Sequence, residues 1–147
     1  MLKGIPAILP PRLLMYLSEM GHGDRLVIGD ANFPAASIAA TSGRLIRCDG
    51  HGAVALLDAI LKLLPLDSYV DHPVGLMQVM PGDNVATPIW EEYAAVIARH
   101  DTRGRAVIRE IERFRFYEEA RDTYVTIASG ETALYANIIL QKGVITD

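Results

Sequence analysis

The chain has 147 residues, half of them hydrophobic, and a formal net charge of −4, which predicts a single domain over residues 1–147 with a core of its own. Its basic residues are scattered apart from a modest cluster between Arg103 and Arg115, which argues against nucleic acid as the main partner, because phosphate neutralisation needs a concentrated basic face. One cysteine excludes an internal disulfide, and the lack of an 18-residue apolar run or a signal-peptide pattern predicts a cytoplasmic protein with no membrane partner.

In the first third of the chain, the spacing of apolar residues predicts one helix followed by two strands. The helix covers 11–20 behind a Pro-Pro start, and Gly21 ends it. The short apolar run 26–29 predicts a strand covered on both faces, and 45–48 predicts a second strand.

The segment 53–64 has a helical period and is apolar around most of its circumference. Its strong polar residues, Asp58 and Lys62, are four apart and are expected to pair on one exposed strip. A helix of this kind is buried on several sides, so we expect a neighbouring subunit to cover it.

The rest of the chain continues to alternate strands with helices. Thr87 and Pro88 supply an N-cap and a first-turn residue for a helix with one apolar face. Further strands are predicted over 74–80, 106–111, 124–128 and 137–140. The alternation predicts an α/β fold, a single compact domain with a mostly parallel sheet flanked by helices.

Three polar groups follow predicted strands directly, namely Asp30, Arg113 and the segment 129–131. Parallel α/β sheets bind their ligands beyond the carboxyl ends of the strands. Folding alone does not require these groups to converge there, so the pattern predicts a small enzyme or binding protein with a polar site. An ordinary charged helix start is the alternative for Arg113, together with Arg115, Glu118 and Glu119.

His22 lies between two glycines, but Gly21-His22-Gly23 is not a dinucleotide fingerprint, because it follows a helix and Leu26 takes the place of the third glycine. The sequence contains no phosphate loop, nucleophile elbow or zinc helix, which disfavours nucleotide and serine chemistry. Two other interpretations of His22 remain open: a helix C-terminal histidine bonded to the last carbonyls, and a metal ligand with Asp24 and Asp30. These three residues have no recognised ligand spacing.

Three separated blocks carry a family resemblance. The first joins Met20-Gly21-His22-Gly23-Asp24 to Asp30-Ala31-Asn32-Phe33-Pro34, and the second is Arg113-Phe114-Arg115-Phe116-Tyr117-Glu118. The third is Tyr135-Ala136-Asn137-Ile138-Ile139-Leu140 with Lys142-Gly143-Val144. In this order the blocks resemble the signatures of the ribose pyranase and fucose mutarotase family, and the resemblance runs nearly end to end, least distinctly over 40–105.

The resemblance implies an isomerase that interconverts the anomers of a free monosaccharide without a metal or an organic cofactor. It also implies a ring-shaped homo-oligomer, often a decamer, with sites near subunit contacts. By matching positions, the general acid falls on His22, and the sugar-binding residues fall on Asp30, Arg113 and the triplet Tyr135, Ala136 and Asn137. Tyr117 is our candidate for a second proton-transfer or positioning group.

Asn32-Phe33-Pro34 and the block 113–118 resemble the fucose branch of the family. Ala136 departs from that branch, which more often has glycine there, and leaves the preferred sugar open. The alternatives are a D-ribose pyranase and a non-catalytic sugar-binding or transport-accessory protein.

His22 precedes the 26–29 strand and Asp30 follows it, which predicts that an extended segment separates them. Four strand residues cover roughly 13 Å. Either the His22 loop folds back along the sheet or one site draws these two groups from adjacent subunits.

Overall fold

The structure is a computed structural model that describes residues 1–146. It contains five α-helices, one 3₁₀ helix and six strands in this part of the chain. In chain order these are α1 (Pro11–Glu19), β1 (Arg25–Gly29), α2 (Ala35–Ile38), β2 (Leu45–Cys48), α3 (Ala53–Leu61), β3 (Val74–Met77), α4 (Pro88–His100), the 3₁₀ helix (Gly104–Val107), β4 (Ile108–Ile111), α5 (Arg113–Arg121), β5 (Val125–Ser129) and β6 (Ile138–Gln141).

The six strands form one sheet in the order β2-β5-β1-β6-β3-β4. The pairs β1–β5, β2–β5 and β3–β4 are parallel, whereas β6 runs antiparallel to both of its neighbours, β1 and β3. Strands β1 to β5 therefore end at one edge of the sheet, where β6 begins. We call this the carboxyl edge, and the edge on the other side the amino edge.

Helices cover both faces of the sheet, because the strands alternate their side chains between two cores. On β1, Leu26 and Ile28 pack into a large core with α1, α3 and α4, while Val27 points into a smaller core with α2 and α5. On β6, Ile139 joins Val27 on the smaller side. The prediction of an α/β domain with a mostly parallel sheet and flanking helices is confirmed.

The chain itself buries the apolar residues of helix α3, for which we expected a neighbouring subunit as cover. Leu56, Leu57 and Ile60 are fully buried within the chain itself, against the sheet and α4. The predicted pair on the remaining exposed strip is confirmed, since Lys62 Nζ lies 2.9 Å from Asp58 Oδ2. The apolar character of α3 is therefore explained without a partner chain.

Two predicted strands are shorter in the structure. The strand expected over 74–80 ends at Met77, and the one expected over 106–111 begins at Ile108, because residues 104–107 turn into a 3₁₀ helix. The helix α5 begins immediately after β4. None of the helices formed by residues 1–146 has the length and apolar character needed to cross a membrane.

Candidate active site

Six of the seven predicted site residues lie at the carboxyl edge. Asp30 follows β1, the residues Arg113 and Tyr117 lie on α5 just after β4, and the triplet Tyr135, Ala136 and Asn137 leads into β6. Since β1 pairs antiparallel with β6, with Ile28 opposite Ile138, Asp30 and Asn137 are brought side by side. We call these six residues the carboxyl-edge cluster.

Asp30 is buried and held by neighbouring amides. Its backbone N–H donates to Asn137 Oδ1 at 2.8 Å, and its Oδ1 accepts from the Asn32 N–H at 2.9 Å. Burial raises the pKa of the Asp30 carboxyl above its ordinary value, against the opposing effect of the amides of Asn32, Ala136 and Phe33. Asp30 therefore offers an oriented carboxylate that is only partly solvated.

Tyr135 has a strained backbone and a fully engaged hydroxyl. Its φ of 55° places a non-glycine residue in the left-handed region. Its hydroxyl donates to Asp83 Oδ2 at 2.5 Å and accepts from the Met80 N–H at 3.3 Å, while its carbonyl accepts from Trp90 Nε1 at 2.8 Å. The hydrogen bond to Asp83 raises the pKa of the Tyr135 phenol. These contacts fix Tyr135 beside the 78–87 loop.

Arg113 and Tyr117 are presented by the first turns of α5. The Glu112 side chain caps this helix by accepting from the N–H groups of Phe114 and Arg115. The Tyr117 ring stacks on Phe33, with ring centroids 5.9 Å apart, and the Arg113 guanidinium lies 5.9 Å from the Tyr117 ring centroid. Arg113 is exposed and Tyr117 half-buried, so both are accessible to a ligand.

A polar cavity of about 230 Å³ opens beside Asp30, between the ends of β1, β2 and β5. Its walls include Phe33, Arg47, Asp49 and Ser129. The Ser129 hydroxyl donates to the Gly29 carbonyl at 2.7 Å, and Glu131 accepts from the Ala53 N–H at the start of α3. Ser129 and Glu131 thus have structural contacts, and Ser129 also lies in the cavity wall, at the strand end where the sequence predicted a polar site.

The structure places His22 at the amino edge, apart from the carboxyl-edge cluster. Its loop is tied to the end of β6, since the Gly23 N–H donates to the Lys142 carbonyl at 2.9 Å. The five residues of β1 separate His22 from Asp30 and span roughly 17 Å. Within one chain, therefore, His22 does not fold back toward Asp30, Arg113 or Asn137.

At the amino edge, His22 pairs with Asp67. His22 Nε2 lies 3.1 Å from Asp67 Oδ1, and the imidazole is 47% exposed while the carboxylate is only 2% exposed. Asp67 also accepts from the Tyr69 N–H at 3.0 Å and from Gln141 Nε2 at 2.9 Å. Burial by itself raises the pKa of Asp67, but the hydrogen bonds from Tyr69, His22 and Gln141 outweigh it and hold this pKa below its ordinary value.

This pairing decides which ring nitrogen of His22 carries the hydrogen. An ionised carboxylate only accepts hydrogen bonds, so Nε2 carries the hydrogen that faces Asp67. In the neutral imidazole Nδ1 is then the bare, basic nitrogen. A buried carboxylate that orients a half-exposed imidazole in this way is suited to general acid–base catalysis.

Sequence reasoning missed Asp67 and the neighbouring Tyr69. Tyr69 is 77% exposed, and its ring centroid lies 5.2 Å from that of His22. The available signal was a lone acid at the end of the apolar run 63–66, which is unusual for a buried position. Nothing local could assign it to a histidine 45 residues away.

The open interpretation of His22 as a metal ligand is not supported. His22 and Asp30 lie at opposite edges of the sheet, and Asp24 Oδ2 accepts from the Gly21 N–H at 2.7 Å. Within residues 1–146 no group of three or more histidine, cysteine, aspartate or glutamate side chains is arranged to hold a metal ion.

Comparison with known proteins places the chain in a family. A model of the RbsD / FucU transport protein family matches residues 3–145. The Homo sapiens protein named fucose mutarotase is 48% identical over 147 residues, covering 98% of this chain and 94% of the relative.

Two crystal structures match over nearly the full length. FucU from Bifidobacterium longum has a TM-score of 0.96 at 58% identity, covering 98% of this chain and 100% of that chain. The fucose mutarotase of Streptococcus pneumoniae, in complex with L-fucose, has a TM-score of 0.91 at 49% identity, covering 99% and 100%. On the evidence of sequence and fold together, the chain belongs to the RbsD / FucU transport protein family.

Proposed function

We propose that the protein is an isomerase of the mutarotase type that interconverts the α and β anomers of L-fucose. The observation that carries the proposal is the His22–Asp67 pair, in which a buried carboxylate orients a half-exposed imidazole. Its relatives at 48% and 49% identity are named fucose mutarotases, which supports L-fucose as the substrate. The reaction requires only proton transfer, and an imidazole oriented by a carboxylate can carry this out.

The reaction opens and recloses a cyclic hemiacetal. A base removes the proton of the anomeric hydroxyl while an acid protonates the ring oxygen, so the bond between C1 and the ring oxygen breaks and a free aldehyde forms. After rotation about the C1–C2 bond, the hydroxyl formed from the ring oxygen adds to the other face of the aldehyde. Both protons then return, one to the catalytic acid and one to the new anomeric hydroxyl. Nothing is oxidised or hydrolysed, and positioned acid–base groups contribute ~10²–10⁴-fold in rate.

In this scheme His22 exchanges one of the two protons through Nδ1. Asp67 holds the hydrogen on Nε2 and stabilises the imidazolium that forms when Nδ1 takes a proton. The protonated ring then returns the proton to the sugar, so the same residue serves as base and as acid.

The carboxyl-edge cluster supplies sugar binding and the second proton group. The Asp30 carboxylate accepts from sugar hydroxyls, Arg113 donates to them, and the Asn137 amide nitrogen is left to donate because its oxygen is bonded to Asp30. The binding triplet also includes Ala136, which is fully buried and whose carbonyl accepts from the Tyr93 hydroxyl at 2.6 Å.

We assign the second proton transfer to Tyr117 and a positioning role to Tyr135. The Tyr135 hydroxyl already donates to Asp83 and accepts from Met80. For the Tyr117 hydroxyl no hydrogen bond is found within residues 1–146, so its proton is free for the substrate.

We propose that one site combines the His22–Asp67 pair of one subunit with the carboxyl-edge cluster of another. The two halves lie at opposite edges of the same sheet and do not meet within a chain. Exposed apolar side chains accompany both halves, with Tyr69 at the amino edge and Phe114 and Leu134 at the carboxyl edge. A ring-shaped homo-oligomer, which we propose to be a decamer in the cytoplasm, would join them around the ring.

Saturation transfer in proton NMR tests the function directly. Equilibrated L-fucose and D-ribose are each irradiated at the H1 resonance of one anomer, with and without the protein. Transfer to the other anomer of L-fucose is the expected result. Transfer with D-ribose alone would make the protein a pyranase-type enzyme, and binding without transfer for either sugar would make it a non-catalytic sugar-binding protein.

A further inference from the structure

The segment that carries Asp67 and Tyr69 is an irregular loop at the amino edge. Residues 67–70, called here the dyad loop, have no helix or strand of their own, and both Ser68 and Tyr69 are exposed. At its start the Asp67 N–H donates to the Gln141 carbonyl at 3.0 Å. A loop of this kind needs further contacts to hold a side chain at a fixed distance from its partner.

Arg103, 36 residues away in the sequence, supplies such contacts. Its Nη2 donates to the Asp67 carbonyl at 3.1 Å, and its Nη1 donates to the Val70 carbonyl, also at 3.1 Å. One guanidinium therefore bonds to both ends of the dyad loop. The rigid planar fork of arginine makes such a double contact, whereas the single ammonium of a lysine cannot reproduce its geometry.

The other side of the Arg103 guanidinium is itself fixed. Its Nε lies 3.0 Å from Asp101 Oδ1 and its Nη2 lies 2.8 Å from Asp101 Oδ2, a bidentate pair that follows the end of α4. The arginine is thus held to α4 by one carboxylate and holds the dyad loop by two carbonyls. It connects the end of a core helix to the loop that carries Asp67, one member of the proposed proton-transfer pair.

We propose that Arg103 is a positioning residue for the His22–Asp67 pair, an inference that rests on the proposed function. It touches neither the imidazole nor the carboxylate of the pair. By fixing the Asp67 backbone it sets where the carboxylate meets His22 Nε2, and a displacement of about 1 Å in such a group costs up to roughly a hundredfold in rate.

The test compares Arg103→Ala with a matched control on the adjoining 3₁₀ helix. Arg105 pairs with the exposed Glu91 and not with the dyad loop, so Arg105→Ala removes a nearby, more exposed arginine and its ion pair without touching the His22–Asp67 pair. Anomer exchange of L-fucose is measured over a range of sugar concentrations for both variants and the wild type. Thermal melts and gel filtration report whether fold and assembly are kept.

We expect Arg103→Ala to lower kcat by about tenfold or more with KM changed by less than about twofold, while Arg105→Ala keeps the wild-type values. Adding guanidinium ion at low millimolar concentration is expected to restore part of the lost kcat in Arg103→Ala, and to leave Arg105→Ala unchanged. Rescue by the missing group is a result that a general loss of stability would not give.

Two outcomes would overturn the positioning role. One is wild-type kcat in a folded, assembled Arg103→Ala protein. The other is a loss of activity that matches the loss of folded protein and is not rescued by guanidinium ion. A wild-type protein that exchanges no sugar would instead overturn the proposed function, so the two failures are distinguishable.

Discussion

The His22 imidazole and the Asp67 carboxylate lie 3.1 Å apart, although 45 residues separate them in the chain. Their meeting depends on two strand contacts: the His22 loop is bonded to Lys142 after β6, and Leu66 forms an isolated antiparallel bridge with the same Lys142. The end of β6 thus aligns the two loops, one on each side of it. The His22–Asp67 pair is a product of tertiary structure.

Replacing Asp67 by asparagine tests this pair. The neutral asparagine amide has one accepting oxygen instead of two and no charge with which to stabilise an imidazolium. We therefore expect the rate of anomer exchange to fall by ~10²-fold or more, with little change in KM. Saturation transfer between the H1 resonances measures it. Asp71→Asn, an exposed acid next to the dyad loop, is the control, and a wild-type rate in Asp67→Asn would remove Asp67 from the mechanism.

Mixing two inactive variants tests whether the site is shared between subunits. His22→Gln loses the pair and keeps the carboxyl-edge cluster, whereas Asp30→Asn does the reverse. After the subunits are dissociated and reassembled together, about one site in four is expected to combine two intact halves and regain activity. Each variant treated alone is the control. A mixture no more active than its components would show that the halves do not come from different subunits.

Phenylalanine variants of the two tyrosines separate their roles. Tyr117→Phe keeps the ring stacked on Phe33 but removes the free hydroxyl, so kcat should fall by about tenfold or more with a small effect on KM. Tyr135→Phe releases the contact to Asp83, so we expect KM to rise more than kcat falls. The opposite assignment of effects would exchange the two roles.

Gly29→Ala is expected to disturb the carboxyl-edge cluster by displacing Phe33. An added Cβ would come within 2.3 Å of Phe33 Cδ1, and Phe33 in turn stacks on Tyr117. We predict a loss of about 1–3 kcal/mol in the free energy of unfolding together with a raised KM. Gly50→Ala, where an added Cβ meets nothing within 4 Å, is the matched control for denaturant unfolding and kinetics. Equal behaviour of the two variants would contradict the prediction.

The ion-pair network between α3 and α4 is expected to lose its contribution to the free energy of unfolding in acid. Hydrogen bonds from His100 and Lys62 lower the pKa of Asp58 from 3.8 to about 2. Because the folded pKa is the lower one, the stabilisation is complete above about pH 4 and is lost as pH falls toward 2. Its size is roughly 1 kcal/mol, since the partners Lys62 and Arg99 are more than half exposed and solvent screens them.

The measurement is the difference in unfolding free energy between the wild type and Asp58→Asn as a function of pH. We expect this difference to shrink as the pH falls from about 4 toward 2. Asp49→Asn, which removes a surface pair with Arg47, controls for the general effect of deleting one carboxylate. A difference that does not depend on pH would refute the assignment.

Local patterns were sufficient for most of the fold. The apolar run 26–29 and the Thr87–Pro88 start of α4 each predict an element that the structure contains. The same reasoning predicts Asp30 and Arg113 at one edge, because the residues after parallel strands meet there. The triplet 135–137 was assigned from the family resemblance instead, since it precedes the antiparallel β6. The apolar residues of α3 do not require the expected partner subunit, because α4 and the sheet already bury them.

The side-chain contacts at the amino edge could not be predicted in this way. The pairing of His22 with Asp67 and the double contact of Arg103 to the dyad loop both depend on where the antiparallel β6 enters the sheet. No periodicity in the sequence encodes that register across 45 or 36 residues. Long-range hydrogen bonds to loops are set by the assembled sheet alone.

If the site is shared as proposed, the position of β1 between its two halves has a consequence for the size of the assembly. Suppose that the His22–Asp67 pair of each subunit meets the carboxyl-edge cluster of the next subunit. In a linear, unclosed oligomer, the pair at one end and the cluster at the other end then have no partner. Closing this oligomer into a ring uses both, so every subunit added to a closed ring contributes one working centre. Opening a ring at a single contact would therefore remove a larger share of the activity of a small ring than of a large one.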